Sequence, residues 1–354
     1  MDDDQRRFLD DLLSTATPSG FETAGQRVWL DYVDEFADET RVDAYGNAVA
    51  VHEGDPDAPS VAVTGHCDEI GLMVRDITDD GFLKLSSIGG SDRTVTRGQN
   101  VHVHTDDGVV DGVIGQVAIH LRDATTDEYA DINEQYVDVG AEDGDEAREL
   151  VDVGDPITFD TEVRDLRGDR VAARGMDNRV GIWTAAEAFR RAAESDPAAT
   201  VYAVSTVQEE VGLKGAKMVG FDLEPDVAVA VDVTHATDHP EGPGDKGSGI
   251  ELGEGAVVSR GSANHPELVA LARDAAADDD ADVQLQATGS FTGTDADAFY
   301  TTRGGIPSLN VAIPNRYMHT PVEVVDLADL ESAAALLAGV AARSAEAAPF
   351  GVDI

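Results

Sequence analysis

The sequence predicts an α/β fold in which a mostly parallel sheet is covered by helices and interrupted by a small β-rich insertion. Three observations support this prediction. Short buried strands alternate with helices in the second half of the chain, residues 73–164 show short alternating segments without a long helical period, and 354 residues are too many for one comfortable domain. We therefore expect a main domain split into residues 1–72 and 165–354, with an inserted domain over residues 73–164.

The elements of the main domain follow one another in a regular order. Helical spacing is found in residues 8–14 and 22–36, which a Pro-Ser-Gly turn separates. Short apolar runs then predict strands, and helical periodicity predicts further helices. The strands are expected at residues 48–52, 60–65, 200–207, 227–233 and 307–313, and the helices at residues 179–195, 265–278 and 327–343. Because strands and helices alternate, we expect helices on both faces of the sheet.

The charge balance of the chain is extreme. Asp and Glu total 70 against 25 Lys and Arg, which gives a formal net charge of −45. The excess runs along the whole chain, and near molar salt the Debye length falls to about 3 Å, which screens the repulsion between exposed charges. We interpret the composition as adaptation to high salt, with an acidic partner-binding surface as the alternative. The chain has no basic stripe that could hold phosphates, so nucleic acid is not an expected partner.

Sequence features that report on the compartment point to the cytoplasm. Cys67 is the only cysteine, so no intrachain disulfide is possible. The first residues lack the basic and apolar regions of a signal peptide. The longest apolar candidate, residues 333–342, is Ala-rich and too short to span a bilayer, and we predict a surface helix there. We expect a soluble cytoplasmic protein without a membrane partner.

Side chains that can bind metal ions follow the predicted strands at the points where the strands end. In open α/β sheets, ligands bind outside the carboxyl ends of the strands, so these side chains are expected at one sheet edge. Imidazole and carboxylate groups together suit zinc or a similar first-row ion. Each residue alone is weak evidence, since an Asp can cap a helix and Glu-Glu pairs are common in so acidic a chain. The converging residues are His66, Asp68, Asp177, Glu209, Glu210, Asp232 and His319.

The remaining histidines and the cysteine receive simpler interpretations. His102 and His104 would share one strand face, and we interpret them as a surface pair in the inserted domain. His235 and His239 lie close to a predicted strand end and could line a substrate pocket. Cys67 is predicted to be a packed thiol, because no residue near it is marked as a base that would activate it.

Five segments of the sequence resemble the tetrahedral aminopeptidases of metallopeptidase family 42, which are two-metal peptidases that include the glutamyl aminopeptidases. Their order and spacing match along essentially the whole chain, and residues 293–296 (GTDA) also fit. The segments are residues 65–71 (GHCDEIG), 175–179 (GMDNR), 208–212 (QEEVG), 231–235 (VDVTH) and 316–321 (RYMHTP). The resemblance implies a catalytic α/β domain like that of zinc peptidases, interrupted by a small β-barrel-like dimerisation domain.

The resemblance also implies a pair of divalent metal ions in each subunit. It implies that Asp177 bridges the two ions. His66 and Asp232 would complete one ion's ligands, and Glu210 and His319 would complete the other's. Zinc is expected, although cobalt or manganese could bind the same donors.

Two further residues receive catalytic roles from the resemblance. Glu209 is implied to be the general base that accepts the proton of the attacking water. Asp68 is implied to bind the second ring nitrogen of His66, which would fix the tautomer and the orientation of the ring. Since neighbouring residues of a strand point to opposite faces, Glu209 and Glu210 can serve one site only where the strand end is irregular.

The resemblance implies that the enzyme removes N-terminal residues from short peptides and that dimers assemble into a tetrahedral dodecamer. A second interpretation is another hydrolase with the same di-metal site, such as a carboxypeptidase, a deacylase or an endoglucanase-labelled relative. Glycosidases normally use two carboxylates without a required metal, so the histidines argue against glycan hydrolysis. A third interpretation, a non-enzymatic assembly or peptide-binding protein, would require a degraded site. The preferred N-terminal residue cannot be predicted from the sequence.

Overall fold

A computed structural model describes residues 1–122, 129–243, 248–279 and 281–352 of the chain. The first part of the main domain contains two helices followed by three strands. They are α1 (Asp3–Ser14), α2 (Thr23–Val33), β1 (Glu39–Val42), β2 (Ala48–His52) and β3 (Ser60–His66). The helix α1 begins at a capping box, in which the side chain of Asp2 accepts from backbone N–H groups of the first turn.

A closed six-stranded barrel follows and has a hydrophobic core of its own. Its strands are β4 (Gly71–Ile77), β5 (Phe82–Ile88), β6 (Asn100–Thr105), β7 (Gly108–Ile114), β8 (Tyr136–Asp138) and β9 (Pro156–Phe159). Two short 3₁₀ turns (Ile119–Leu121 and Ile132–Glu134) and the helix α3 (Gly144–Leu150) lie outside the strands. Alternate strand residues such as Leu83 and Leu85 fill the interior of the barrel. The β-rich insertion predicted from the sequence is thus confirmed.

The rest of the main domain alternates strands and helices. The strands are β10 (Arg164–Asp165), β11 (Arg170–Ala173), β12 (Thr200–Thr206), β13 (Val227–His235), β14 (Ala256–Arg260), β15 (Val283–Ala287), β16 (Ser308–Asn315) and β17 (Glu323–Asp326). The helices are α4 (Met176–Glu194), α5 (Lys214–Leu223), α6 (Pro266–Asp278), α7 (Ala296–Phe299) and α8 (Leu327–Ala347).

An eight-stranded sheet forms the centre of the main domain, in the order β1-β2-β12-β3-β13-β16-β14-β15. The central strands β12, β3, β13 and β16 run parallel, so their carboxyl ends meet at one edge. Antiparallel pairs occur nearer the two sides, between β1 and β2, β2 and β12, and β14 and β16. The predicted fold class is confirmed, and the sheet is mixed, with a parallel centre.

The main core lies between the sheet and the helices α1, α2, α4, α6 and α8. The helix α4 is buried along nearly its whole length, with Trp183 and Phe189 fully enclosed. The prediction of a surface helix at residues 333–342 is wrong, because most of this segment of α8 is buried against α4 and α6. Its alanines are small enough to let neighbouring helices approach closely, so an Ala-rich composition here indicates packing. Among the described helices, none has the length and apolarity needed to cross a membrane.

Candidate active site

The predicted metal ligands lie together where the central strands end. His66 is the last residue of β3 and Asp232 lies in β13, while Glu209 and Glu210 follow β12 and His319 follows β16. Asp177 lies at the start of α4 and faces them. Six of the seven predicted residues line one cavity, and Asp68 is buried directly behind it.

Close backbone packing brings the first part of the centre together. A Cβ atom built on Gly65 would lie 2.6 Å from the carbonyl carbon of Gly181, so only glycine lets β3 approach α4 this closely. The side chain of Asn178 accepts from the N–H of Gly181 at 3.0 Å and donates to the carbonyl of Val231 at 2.8 Å. Asp177 is therefore held beside the ends of two strands.

Asp177 faces two different histidines with its two carboxylate oxygens. Its Oδ1 lies 3.2 Å from Nε2 of His66, and its Oδ2 lies 3.3 Å from Nε2 of His319. Each histidine contacts a main-chain carbonyl through its other nitrogen, since Nδ1 lies 3.0 Å from Asp68 O in His66 and 3.2 Å from Gly90 O in His319. In a neutral imidazole these contacts favour the proton on Nδ1, which leaves the lone pair of Nε2 directed at the centre.

The other acidic side chains complete two groups around Asp177. Nε2 of His66 lies 3.7 Å from Oδ1 of Asp232 and 3.8 Å from Oε2 of Glu209, and Nε2 of His319 lies 3.5 Å from Oε1 of Glu210. Donor atoms close enough to share one ion are found in His66, Glu209 and Asp232, and again in His66, Asp177 and Glu210. The donors are nitrogen and oxygen atoms only, which suits zinc, cobalt or manganese.

The charge of the centre is not balanced by the side chains around it. Burial raises the pKa of Glu209 to about 10 and that of Glu210 to about 8, and neighbouring carboxylates add to both shifts. Within the described part of the chain, Oδ1 of Asp177 and Oε1 of Glu210 are buried and accept no hydrogen bond. Buried carboxylate oxygens without donors, gathered around two imidazoles, fit a site for cations.

The two histidines respond to the same field. Burial disfavours the charged form of His66, but the carboxylates around it outweigh burial and raise its pKa well above the ordinary value. Contact with Asp177 and the nearby charge of Glu210 raise the pKa of His319 to about 9. Burial would raise the pKa of Asp177, but its contacts with the two histidines lower the pKa well below the usual range. The centre therefore attracts positive charge.

Asp68 supports the centre with its carboxylate and with its main-chain oxygen. Its carboxylate lies 3.4 Å from Nδ1 of His66, as expected of a group that orients the ring, and its main-chain oxygen lies closer, at 3.0 Å. The carboxylate also accepts from the backbone N–H groups of Glu209 at 2.9 Å and Glu210 at 3.2 Å, and from the Ser19 hydroxyl at 2.6 Å. Gln208 has a left-handed backbone (φ 56°), which is the irregular strand end that the two glutamates need.

Two buried acids near the centre were not predicted as site residues. Glu323 accepts from the backbone N–H of His319 at 2.8 Å and from that of Asp177 at 3.2 Å, so it joins ligands from two distant segments. Asp295 accepts from the Thr206 hydroxyl at 2.6 Å, and burial raises its pKa to about 7. Asp295 lies in the GTDA segment noted in the sequence, whereas Glu323 begins an ordinary strand pattern and carries no sequence signal.

The remaining histidines singled out in the sequence and the cysteine have different surroundings. His102 lies on the barrel, 3.4 Å from Asp111, and its neighbour His104 contacts Thr158, away from the centre. His235 lines the cavity, whereas His239 packs against the ring of Tyr317. Cys67 is fully buried, and burial raises the pKa of its thiol to about 12, so it stays protonated.

Beside the centre lies an open cavity of about 440 Å³. Its walls come from the ends of β13, β14 and β16 and from the segment between β15 and α7. Its volume lies in the range of pockets that bind small ligands. An α/β sheet that gathers histidines and carboxylates at the carboxyl ends of its strands, beside such a cavity, is an arrangement that could hold metal ions next to a substrate, as in the class of metal-dependent hydrolases.

Comparison with known proteins identifies the family within this class. Residues 46–336 match the M42 glutamyl aminopeptidase family. The lysyl aminopeptidase of Pyrococcus furiosus is 35% identical, over 89% of this chain and 90% of its own. The chain belongs to the M42 glutamyl aminopeptidase family, and it is a hydrolase and an aminopeptidase of that family.

Solved structures agree with this membership. A TET aminopeptidase from a marine sediment archaeon (Thaumarchaeota archaeon) superposes with a TM-score of 0.91 at 30% identity and covers 97% of both chains. The TET1 peptidase of Pyrococcus horikoshii, which can assemble into a tetrahedron or a large octahedral shell, gives a TM-score of 0.84 at 30% identity. It covers 95% of this chain and 99% of its own.

Proposed function

We propose that the chain removes N-terminal residues from short peptides by means of a pair of divalent cations. The supporting observation is the placement of Asp177, whose two oxygens face Nε2 of His66 and Nε2 of His319. Two cations about 3.5–4 Å apart need a shared ligand, and a carboxylate in this position can serve as one. We assign His66, Asp177 and Asp232 to one ion. Asp177, Glu210 and His319 are assigned to the other.

Zinc is the proposed metal, because imidazole nitrogens and carboxylate oxygens are its common ligands. When bound, the cations would supply Lewis acidity to water and to the peptide carbonyl. The main-chain oxygens of Asp68 and Gly90 contact Nδ1 of His66 and His319, so Nε2 of each ring faces the place where the cations would bind. When metal binding removes the proton from Nε2, these two contacts would keep the remaining proton on Nδ1.

Glu209 is the proposed general base. Its carboxylate lies at the edge of the centre, 3.8 Å from Nε2 of His66, and lines the cavity that would hold the peptide. Bound cations would offset the neighbouring carboxylates and favour the ionised form of Glu209. The ionised side chain would accept the proton of the attacking water and then donate it to the departing amine. The Asp68 carboxylate holds the backbone N–H of Glu209, so the position of the base is fixed by the fold.

Substrate and chelator experiments test this proposal. Aminoacyl-anilides with a free α-amine should be hydrolysed in molar KCl, and their N-acetylated counterparts should not. Chelation should abolish the activity, and added zinc, cobalt or manganese should restore it. Chelator-resistant hydrolysis would contradict the metal role, and equal hydrolysis of N-acetylated peptides or of cellulose would favour another hydrolase.

We also propose the domain division 1–72, 73–164 and 165–354, with self-assembly through the inserted domain into dimers and a tetrahedral dodecamer. The barrel exposes the apolar side chains of Val117, Ile119 and Leu121, which a monomer would leave in water. The expected mass in solution is twelve times the 37.3 kDa of one chain. Light scattering tests this, and a monomeric mass in molar KCl would contradict it.

Salt adaptation is proposed from the charge of the chain. With a net charge of −45, self-repulsion opposes the compact state until salt screens it. The midpoint of thermal unfolding should therefore rise as KCl is increased toward molar concentrations. A midpoint that is highest in dilute buffer would contradict the interpretation.

A further inference from the structure

The cavity beside the candidate metal centre has a neutral wall. Among the described residues that line it, every Asp and Glu belongs to the centre itself, and Lys and Arg are absent. Outside the centre, the imidazole of His235 is the one titratable side chain among the described residues of the wall. The rest of the wall is built from polar but uncharged side chains and from apolar ones, chiefly Thr234, Ser259, Gln286, Phe291, Asn310 and Met318.

The inner wall is a neutral hydrogen-bonded network. Asn310 donates from Nδ2 to the Ser259 hydroxyl at 3.2 Å, and the Thr234 hydroxyl donates to Oε1 of Gln286 at 3.1 Å. Asn310, Ser259 and Thr234 are all buried. These side chains carry no charge, and within the described part of the chain Oδ1 of Asn310 is buried without a donor. A charged substrate side chain would therefore lie against this network without an opposite charge.

The rim of the cavity carries an exposed aromatic side chain. Phe291 is 71% exposed, although its own segment is anchored to the protein. The N–H groups of Thr292 and Gly293 donate to the Asp297 carboxylate, each at 2.9 Å, and the N–H of Thr288 donates to Arg260 O at 2.8 Å. An apolar ring held in water beside a cavity offers contact area to an apolar ligand.

The arginine nearest in sequence to His319 is already paired. Arg316 donates from Nε to the carboxylate of Asp238 at 2.8 Å, and it does not line the cavity. It is therefore not available to bind the carboxylate of an acidic substrate side chain. A lysine side chain would likewise find no carboxylate on the wall outside the candidate metal centre.

We infer that this cavity selects N-terminal residues with uncharged side chains, such as leucine, methionine and phenylalanine, over lysine, arginine, aspartate and glutamate. The inference rests on the proposed aminopeptidase function, because it assigns the cavity to the side chain of the residue that is removed. The neutral network sets the discrimination against charge, and Phe291 adds affinity for apolar side chains.

The selectivity is measured as kcat/KM for leucyl, methionyl, lysyl and glutamyl anilides, with the metal-loaded enzyme at one KCl concentration. The leucyl and methionyl substrates should exceed the lysyl and glutamyl ones by about tenfold or more, the range that single pocket contacts give. A lysyl or glutamyl substrate equal to the leucyl one would overturn the inference and leave the aminopeptidase function intact.

A charge placed on the wall should change the selectivity. Gln286→Glu adds a carboxylate inside the cavity and keeps the acceptor for Thr234, so the lysyl-to-leucyl ratio of kcat/KM should rise about tenfold. Leu285→Glu is the matched control, because it adds the same charge to the same strand at an exposed position on the opposite face. An unchanged ratio in Gln286→Glu, or an equal rise in the control, would overturn the inference.

The rim is tested separately. Phe291→Ala should lower kcat/KM for the leucyl substrate about fivefold and change the alanyl substrate less, since alanine lacks the side chain that would reach the ring. Phe221→Ala removes an equally exposed ring, on α5 and outside the cavity, and should change neither value. Equal losses for both substrates in Phe291→Ala would remove this residue from the inference.

A binding measurement separates failure of the inference from failure of the proposed function. Leucinamide, lysinamide and the α-amide of glutamic acid are titrated calorimetrically into the metal-loaded Glu209→Gln variant. Tighter binding of leucinamide by about tenfold is expected. If the wild-type enzyme hydrolyses no aminoacyl substrate and leucinamide still binds most tightly, the proposed function is wrong and the selectivity stands. Equal affinities would overturn the selectivity whatever the activity.

Discussion

Two clusters of buried charge lie side by side after β3, and they differ in how the charge is balanced. In the first, Glu69 forms ion pairs with Arg174 and Arg179, and all three residues are buried. Burial would raise the pKa of Glu69, but the two guanidinium groups outweigh it and lower the pKa to about 2. Each charged group of this cluster contacts an opposite charge on the protein, so the Glu69 carboxylate needs no further cation.

The second cluster is the candidate metal centre, and the residue before Glu69 belongs to it. The Asp68 carboxylate accepts hydrogen bonds from the backbone N–H groups of Glu209 and Glu210. Burial raises the side-chain pKa values of these two glutamates to about 10 and 8. No arginine or lysine of the described cavity wall faces these carboxylates. The comparison shows that burial of charge does not by itself indicate function. The cluster whose acids outnumber the cationic side chains around them is the one prepared for cations.

The largest effect is expected at the proposed base. Glu209→Gln should lower kcat by about 10²–10⁴-fold, because an amide cannot accept the proton of the attacking water. The bound metal should stay at the wild-type level, since we assign Glu209 no place among the ligands. Steady-state kinetics and elemental analysis of the same preparation measure both quantities.

Glu210→Gln provides the control for this variant. It makes the same carboxylate-to-amide substitution at the adjacent residue. Because Glu210 is assigned as a ligand, this variant should lose metal as well as activity. Wild-type activity in Glu209→Gln, or equal metal loss in the two variants, would remove the distinction between base and ligand.

In the cluster of Glu69, Arg174 and Arg179, loss of the carboxylate should lower the stability of the fold. Glu69→Gln leaves two buried guanidinium groups without their counter-charge, so the free energy of unfolding should fall by about 3–5 kcal/mol. Denaturant titration at fixed metal and salt concentrations measures the change. An unchanged free energy would show that the arginines do not depend on Glu69.

The pKa of Glu69 sets the sign of its pH dependence. Because the folded-state pKa is lowered from 4.5 to about 2, the contribution of Glu69 is complete above about pH 4.5 and is lost as the pH falls toward 2. The difference in stability between wild type and Glu69→Gln should shrink over the same range. A difference that grows on acidification would contradict the assignment.

Glu323→Gln should have a smaller effect, confined to the metal centre. Glu323 binds the backbone of Asp177 and His319, so the affinity for the ion at His319 should fall about 10–100-fold, as is typical of groups that support ligands. Competition with a chelating dye measures the affinity. Asp329→Asn is the matched control, since Asp329 is buried and accepts from two backbone N–H groups away from the centre. Equal loss of affinity in both variants would argue for a general effect of destabilisation.

The smallest effect is expected for an exposed ion pair. Arg7 donates to the carboxylate of Asp4 at 2.8 Å, and both side chains are largely in water. Arg7→Gln should change the free energy of unfolding by less than about 1 kcal/mol in dilute buffer and by still less in molar KCl. A change as large as that of Glu69→Gln would break the contrast between buried and exposed charge.

The sequence predicted the parallel centre of the sheet and the residues at its edge, because strand periodicity and the positions of strand ends are local properties. It could not predict the role of Glu323, which depends on β17 lying beside β11 and hence beside the start of α4. The carboxylate of Asp68 was expected beside His66 and lies there, but its hold on the Glu209–Glu210 turn was not predicted. The burial of α8 was likewise missed, because composition does not reveal which neighbours pack against a helix.

Anomalous diffraction at the zinc edge, from crystals of the metal-loaded wild-type protein, tests the central claim most directly. We predict two peaks that share the carboxylate of Asp177, one beside His66 and Asp232 and the other beside Glu210 and His319. Glu209 should contact neither ion directly. A single peak held by Glu209, or the absence of an ion beside His319, would contradict the account.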